Sequence, residues 1–566
     1  MSKKIPLIKA SRANRPRNAF DLSQKHLFTA HAGMLLPVLT MDLIPHDHVS
    51  IQATDFMRCL PMNSAAFMSM RSVYEFFFVP YSQLWHPFDQ FITGMNDYRS
   101  VLQSDLYKSK SPLVIPSFMR KQLYDLFNAP NGFLNQTSNQ PDIFGFKSRY
   151  NFLRLLDLLG YGVYVNSDGS PRNEGYNKLL NDTEKLSLFR LAAYQKIYSD
   201  FYRNTTYETI DVSSFSLDDI TDSISGISAF KRFGQLRYRN AQLDYFTNIR
   251  PTPLFSDANS SFYGAGSNVK QSFFTQGDSS TLIQADEDYT AITRETWSDN
   301  GKSYSQVNVS DIRNAFALDK LMQITQRAGK TYAEQIKAHF GYEVSEGRDG
   351  TVNYLGGFDS NIQVGDVTQM SGTTASPEQG ISIKHGGYLG RVTGKAQGSG
   401  SGHIEFDAKE HGLLMCIYSL VPDMQYDATR IDPFVTKLSR GDFFIPEFEN
   451  LGMQPLQTRF ISDSGKQSEK FKGWQPRYSE YKTALDINHG QFANGQPLSY
   501  WTVGRGRAGE TLDTFDIASL KINPKWLDSI FAVNYNGVQL TDCVFGGCQF
   551  NVQKVSDMSV DGVPRV

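Results

Sequence analysis

The sequence predicts a mainly β protein with long insertions, and three features predict it. Aromatic residues make up 13% of the 566 residues, with 40 Phe and 28 Tyr. Forty-four Gly and 23 Pro supply many turns. Runs with period-2 alternation or dense β-branched and aromatic bulk stand near both ends of the chain, which is how half-buried strands read.

In chain order, residues 1–25 come first as a basic arm. Lys3, Lys4, Lys9, Arg12, Arg15 and Arg17 fall within the first twenty residues, where no acid occurs. Such an arm is either a plain extended terminus or a neutraliser of phosphates. Three strand-like runs follow, Thr29 to Ile44, His48 to Leu60 and Met68 to Val79. In the second, Val49, Ile51 and Ala53 alternate with Ser50, Gln52 and Thr54. The third contains Phe76, Phe77 and Phe78, three large apolar groups that occupy both faces at once, so that strand is expected to be covered on both sides. Pro80 ends it, and Leu84, Trp85, Phe88, Phe91 and Ile92 recur at helical spacing, suggesting a short helix folded back onto the strand, with Trp85 and Phe88 as a candidate lid or subunit contact.

The middle of the chain changes character. Tyr150 to Gly160 reads as a short apolar helix ending at glycine. Asn181 and Glu184 have the spacing of a capping box, which would start a helix whose apolar face is Leu186, Phe189, Ala193, Ile197 and Phe201, widened by Tyr194, Tyr198 and Tyr202. Residues 253–306 form a Ser-, Gly- and Asn-rich segment with three basic and seven acidic residues, read as a solvated insertion. Asp311 to Gly341 is helical with a break at Gly329, and Gly386 to Gly402 reads as a glycine-rich loop. Strands return with His411 to Val421, Phe443 to Phe448, Trp474 to Tyr481, Leu527 to Tyr535 and Thr541 to Val552. Strands at both ends around a helical, loop-rich middle suggest a jelly roll, in which early and late strands pair across the chain.

Composition and motifs exclude several function classes. The net charge of −2 creates no global field toward nucleic acid or membrane. The longest apolar run, Leu413 to Val421, is too short to span a bilayer, and the basic N-terminus lacks the apolar core of a signal peptide, so a soluble protein made in the cytosol is expected. Cys543 and Cys548 lack zinc spacing and a second pair. With Cys59 and Cys416 they read as buried free thiols. His46-Asp47-His48 resembles the metal motif of a cupin, but Gln52 and Ala53 stand where its glutamate belongs. Gly390 to Lys395 is one residue short of a phosphate loop. No catalytic residue, metal site or cofactor is assigned.

Ten stretches in order carry a family resemblance. They are NAFDLS (Asn18 to Ser23), FTAHAGMLLPV (Phe28 to Val38), EFFFVPYSQLW (Glu75 to Trp85), AYQKIYSDFYRN (Ala193 to Asn204), LDYFT (Leu243 to Thr247), YLGG (Tyr354 to Gly357), HGLLMCIYSLVPDMQYD (His411 to Asp427), FFIPEFENLGMQPL (Phe443 to Leu456), PRYSEYK (Pro476 to Lys482) and GVPRV (Gly562 to Val566). Together they resemble the major capsid proteins of the Microviridae, in their spikeless gokushovirus- or alpavirus-like branch. One departure is Pro45-His46-Asp47, where the family often has Pro-Gly-Asp, so the conformational freedom of that glycine is absent from the turn.

The resemblance implies an eight-stranded antiparallel jelly roll, the capsid β-sandwich, as a single domain over 26–566. Its strands would come from 26–80 and from about 403–566, with insertions over 81–402. It implies self-assembly into a T=1 icosahedral shell around circular single-stranded DNA, made in the bacterial cytoplasm, with a small basic packaging protein and a pilot protein as companions. Under that reading the arm faces inward, and Lys3, Lys4, Lys9, Arg12, Arg15 and Arg17 contact phosphate without reading sequence. Residues 253–306 project outward toward the host surface, with Ser260, Tyr263, Asp286, Asp288 and Trp297 as candidate protrusion residues. The alternative from another class is a cellular jelly-roll carbohydrate-binding protein, which needs no basic arm.

Overall fold

The computed structural model describes residues 17–60, 62, 66–93, 113–119, 148–162, 185–220, 232–251, 283–285, 291–294, 307–328, 332–341, 350–368, 392–427, 431–449, 452–457, 460, 471–504, 520–527, 530–531, 534–535, 538–539 and 542–560. Nine antiparallel strands form one curled sheet: β1 (Asn18–Asp21), β2 (Gln24–Ala30), β3 (Leu36–Leu43), β4 (His48–Cys59), β5 (Met70–Pro80), β6 (Asn353–Thr368), β7 (Val392–Asp407), β8 (Gly412–Pro422) and β9 (Val544–Ser556). The order across the sheet is β1, β9, β4, β7, β6, β5, β8, β3, and β2 also pairs with β9. β2 takes residues 544–550 of β9 and β1 takes 553–556, so the two share one edge and the nine strands fill eight positions. This is a jelly roll: the first strands pair with the last, and the sheet folds over so that two four-position halves face each other.

The corner between the halves lies in β6 and β7. Residues 353–362 of β6 pair with β5 and residues 363–368 pair with β7. β7 in turn pairs with β6 up to Gln397 and with β4 from Gln397 to Asp407. The glycine-rich stretch read as a loop is therefore largely strand. Glycine usually marks turns, but here it is required by crowding. A Cβ at Gly402 would sit 2.5 Å from the Phe358 ring, and one at Gly400 would sit 2.6 Å from Cβ of Ser360. The bare glycine face lets two backbones approach where a sandwich normally keeps its sheets about 10 Å apart. Asp55, on the buried face of β4, binds at this corner, accepting from Ser360 Oγ at 2.7 Å and from the Gly400 amide. Burial raises its carboxyl above the ordinary value, and those hydrogen bonds oppose the shift. Gly402→Val is expected to destabilise the protein by about 1–3 kcal/mol through overpacking, read as a lower urea midpoint, while Ser401→Val on the exposed side leaves the midpoint near wild type.

Alternation in β4 is as expected: Val49, Ile51, Ala53, Asp55, Met57 and Cys59 are buried and their neighbours are not. β5 is covered on both faces, with every residue from Phe76 to Pro80 buried. Phe76 and Phe78 fill the space between the halves, meeting Phe550 and Phe406. Phe77 faces the other way, beneath Phe201, Tyr202 and Tyr354. β8 is buried along its whole length.

Helices cover the outer face of the β5–β8 half. After α1 (Tyr81–Leu84) and α2 (Phe88–Thr93), Trp85 and Phe88 lie buried against Phe189. They belong to the protomer's own core, as a helix folded back onto β5 places them, which corrects their reading as a lid or subunit contact. α3 (Ser148–Leu158) packs on β3. The helix expected from Asn181 begins at Phe189 instead. Residues 181–184 lie outside the described residues, and Lys185–Ser187 is a short strand paired with Ser117–Met119. α4 (Phe189–Ile197) continues into a π-turn, Tyr198–Tyr202. The wider turn rotates the face, so Tyr194, Tyr198 and Tyr202 are buried and Phe201 is exposed. α5 (Val309–Arg327) and α6 (Tyr332–Phe340) confirm the broken helix. Phe443 to Phe448 is not a strand, and among the described residues of Leu527 to Tyr535 the strand is the two-residue Asn534–Tyr535. Trp474 to Tyr481 divides into the end of strand Phe471–Pro476 and a 3-10 turn.

A buried polar cluster ties the insertions to the sheet. Arg154 of α3 donates to both carboxylate oxygens of Asp542, at 3.0 and 2.8 Å, and Thr29 Oγ1 of β2 donates to the same group. Beside it His31 is fully buried with Nε2 3.2 Å from Cys543 Sγ, and burial pushes its imidazole down to about 4. All four cysteines are buried and free, and burial pushes the Cys59 and Cys548 thiols up to about 12.

Candidate assembly surfaces

The root of the basic arm is built at one corner of the sheet. Arg17 immediately precedes β1, and its Nη2 donates to the carbonyl of His46 at 2.9 Å, with Nε 4.0 Å from Asp557. His46 closes the group through Nδ1, 2.9 Å from Asp557 Oδ2. His46 has φ +74°, so the left-handed conformation survives in the turn although the glycine does not. Its amide donates to Ala408 O at 2.8 Å, and buried Asp47 beside it binds Lys554 Nζ at 2.7 Å. His48 turns to a different carboxylate, Asp407, 2.8 Å away. Of the six candidate DNA-binding residues, Arg17 is thus engaged within the protomer. Lys3, Lys4, Lys9, Arg12 and Arg15 lie outside the described residues.

The candidate protrusion residues Ser260, Tyr263, Asp286, Asp288 and Trp297 also lie outside them. The described part of that insertion is two antiparallel strands, Ile283–Ala285 and Ala291–Arg294, and the second also pairs with Val307–Asn308, which follows the insertion and leads into α5.

Sequence reasoning missed the most exposed apolar segment among the described residues. Residues 431–449 run through three 3-10 turns, Pro433–Thr436, Arg440–Asp442 and Pro446–Phe448. Prolines start two of them, and a Ser439–Asp442 capping box closes the middle one. Those prolines and the Ser-x-x-Asp spacing were the signal available against a strand. Ile431, Phe434, Val435, Leu438, Phe443, Phe444 and Phe448 are all exposed, Leu438 to 91% and Val435 to 74%. The segment is nevertheless anchored by a buried ion pair. Lys437 Nζ binds Glu480 Oε1 at 2.8 Å, donates to Asp442 O at 2.9 Å and lies 4.1 Å from the centre of the Tyr481 ring. Gln454 holds the other Glu480 oxygen at 2.7 Å. Burial pushes the Glu480 carboxyl up, but the bonds from Lys437 and Gln454 outweigh it and leave the group below its ordinary value. A fixed platform that holds bulky apolar groups in water is suited to excluding water from a protein contact.

Comparison with known proteins shows the family. A family model described as "Capsid protein (F protein)" matches residues 8–151 and 170–566. The chain belongs to this capsid family. It is similar to the capsid protein VP1 of Chlamydia phage 1, 22% identical over 569 residues, covering 91% of this chain and 89% of that protein. The capsid protein VP1 of Bdellovibrio phage phiMH2K is 22% identical over 478 residues, covering 82% and 81%, and that of Spiroplasma virus 4 is 19% identical over 533 residues, covering 86% and 84%. As a microvirus capsid protein the chain is a structural component of a virion, and it self-assembles. Among the described residues no helix is long and apolar enough to cross a membrane.

Proposed function

We propose that this capsid protein builds a T=1 icosahedral shell around a circular single-stranded DNA genome in the bacterial cytoplasm, with residues 431–449 buried between neighbouring copies. The exposed apolar segment, anchored through Lys437 and Glu480, carries this reading. A free protomer gains nothing from holding Leu438 and Val435 in water, whereas a shell contact removes them from it. Electron microscopy of the purified protein tests it: closed particles of uniform size are expected, and a monomer at every concentration and salt overturns it.

The arm lies inside and the insertion outside. Arg17, clasped by His46 and Asp557, fixes where the arm leaves the sheet and frees Lys3, Lys4, Lys9, Arg12 and Arg15 for the genome, a task shared with a small basic packaging protein. Deletion of residues 2–16 is expected to lower packaged DNA. It should also flatten the salt dependence of DNA retention, by about 0.7 in log–log slope for each phosphate that the arm no longer neutralises. Unchanged DNA content and slope would remove the arm from this role. Ser260, Tyr263, Asp286, Asp288 and Trp297 belong to the outward protrusion that meets the host surface, and a pilot protein completes the particle.

A further inference from the structure

A recess of about 570 Å³ opens on the outer face of β5 and β6, away from the space between the two halves of the sandwich. Two backbone irregularities build it. β6 slips register between Tyr354 and Gly356, where Gly356 has φ +119°. Facing it, the π-turn Tyr198–Tyr202 follows α4. Each irregularity leaves one aromatic half-exposed, Tyr354 and Phe201, with ring centres 6.0 Å apart. Buried Phe77 forms the floor, 4.9 Å from Phe201 and 5.4 Å from Tyr354. Bulges and π-turns sacrifice regular hydrogen bonding and recur where a side chain must be re-aimed for a task.

The charged groups of the recess are already paired with one another, while the buried Asn240 Oδ1 in its lining has no hydrogen-bond partner. Arg239 grips Glu75 with two bonds, at 2.6 and 3.2 Å, and donates to Ser419 Oγ at 3.0 Å. The Tyr202 hydroxyl donates to the same Glu75 carboxylate. At the rim Arg71 stands 3.8 Å from Asp359. Each guanidinium faces a carboxylate, so no surplus positive charge is left for a phosphate backbone, which a nucleic-acid groove requires.

We propose that this recess receives an apolar or aromatic side chain of a second copy of this chain, as the pocket half of a head-to-tail shell contact. The proposal rests on the capsid reading. A self-assembling chain that carries a charge-balanced recess with two half-exposed rings and, outside its lining, proud anchors such as Leu438 has the two unlike parts that heterologous contacts need. Interface energy concentrates where an anchor fills such a pocket.

Hydroxyl-radical footprinting with peptide mapping tests it on isolated protomers, on shells assembled without DNA and on filled shells. Phe201 and Tyr354 are expected to label in the protomer and at least tenfold less in the empty shell. Equal labelling in protomer and empty shell overturns the proposal. So does protection confined to filled shells, which would mean a nucleobase occupant, or protection already complete in the protomer, which would mean the chain covers its own recess. The double variant Phe201→Ser, Tyr354→Ser uncovers Phe77 and lowers the protomer's melting temperature, but well below that temperature it should still raise the concentration threshold for assembly at least tenfold; an unchanged threshold counts against the pocket. If the wild-type chain forms no shells at all, it is the capsid reading that has failed, and the inference falls with it.

Discussion

Phe77→Asp is expected to leave no soluble protomer. Phe77 is 1% exposed and packs on Phe201, Tyr202 and Tyr354. Truncating a buried Phe costs about 3–5 kcal/mol, and a carboxylate without a partner in its place adds several more. Residues 75 and 77 share a face of β5, so the new charge would also stand beside Glu75. The sum is comparable to the whole stability of a typical domain, about 5–15 kcal/mol. Phe77→Leu, which keeps an apolar group there, should fold. Soluble Phe77→Asp with a wild-type melting curve would show that the residue is not under the π-turn.

The second large effect is at Asp542. Removing it leaves Arg154 buried without its bidentate partner and Thr29 without its acceptor. Breaking a buried pair in this way costs about 3–5 kcal/mol. Asp542→Ala should therefore fall well below wild type in urea midpoint, and adding Arg154→Leu should recover part of the loss. The pH dependence has a definite sign. Burial pushes the Asp542 carboxyl up, but Arg154, Thr29 and His31 together hold it below its ordinary value of 3.8. A depressed carboxyl contributes stability that is present above the unfolded value and lost as pH falls through the folded one. Wild-type stability should thus drop below about pH 4, and the drop should shrink in Asp542→Ala; identical acid limbs in the two proteins would contradict the geometry.

The fold is legible where one residue pattern has one structural meaning. Alternation in β4 becomes alternating burial, and the Phe76–Phe78 run becomes a doubly covered strand. The pairing of first strands with the last follows from their positions. Glycine is the ambiguous letter. Residues 398–402 read as a loop because nothing local distinguishes a flexible glycine from one excluded by a neighbouring ring, and that ring belongs to Phe358 on another strand. A 3.6-residue repeat places Phe201 on the buried face, and a π-turn breaks that repeat. The candidate site is visible only in its charge. The arm announces itself by six cations without an acid, but the partners that clasp Arg17 are His46 and Asp557, which no local pattern brings together. The exposure of Leu438 depends on where Lys437 finds Glu480, again a tertiary fact.

The shared edge of β9 sets the order in which the protein can be made. Its residues 544–555 pair along β4 on one side while β2 and β1 pair on the other. β4 and β2 are among the first strands to leave the ribosome and β9 is the last. At roughly 5–20 residues per second of synthesis, β4 waits on the order of a minute with an unpaired edge. An open strand edge on a nascent chain invites pairing with its neighbours on the same message. A chain destined to meet many copies of itself thus spends most of its birth unable to complete its sheet, with an exposed face of β4 on which the polar Gln52, Thr54 and Arg58 flank the half-exposed Phe56.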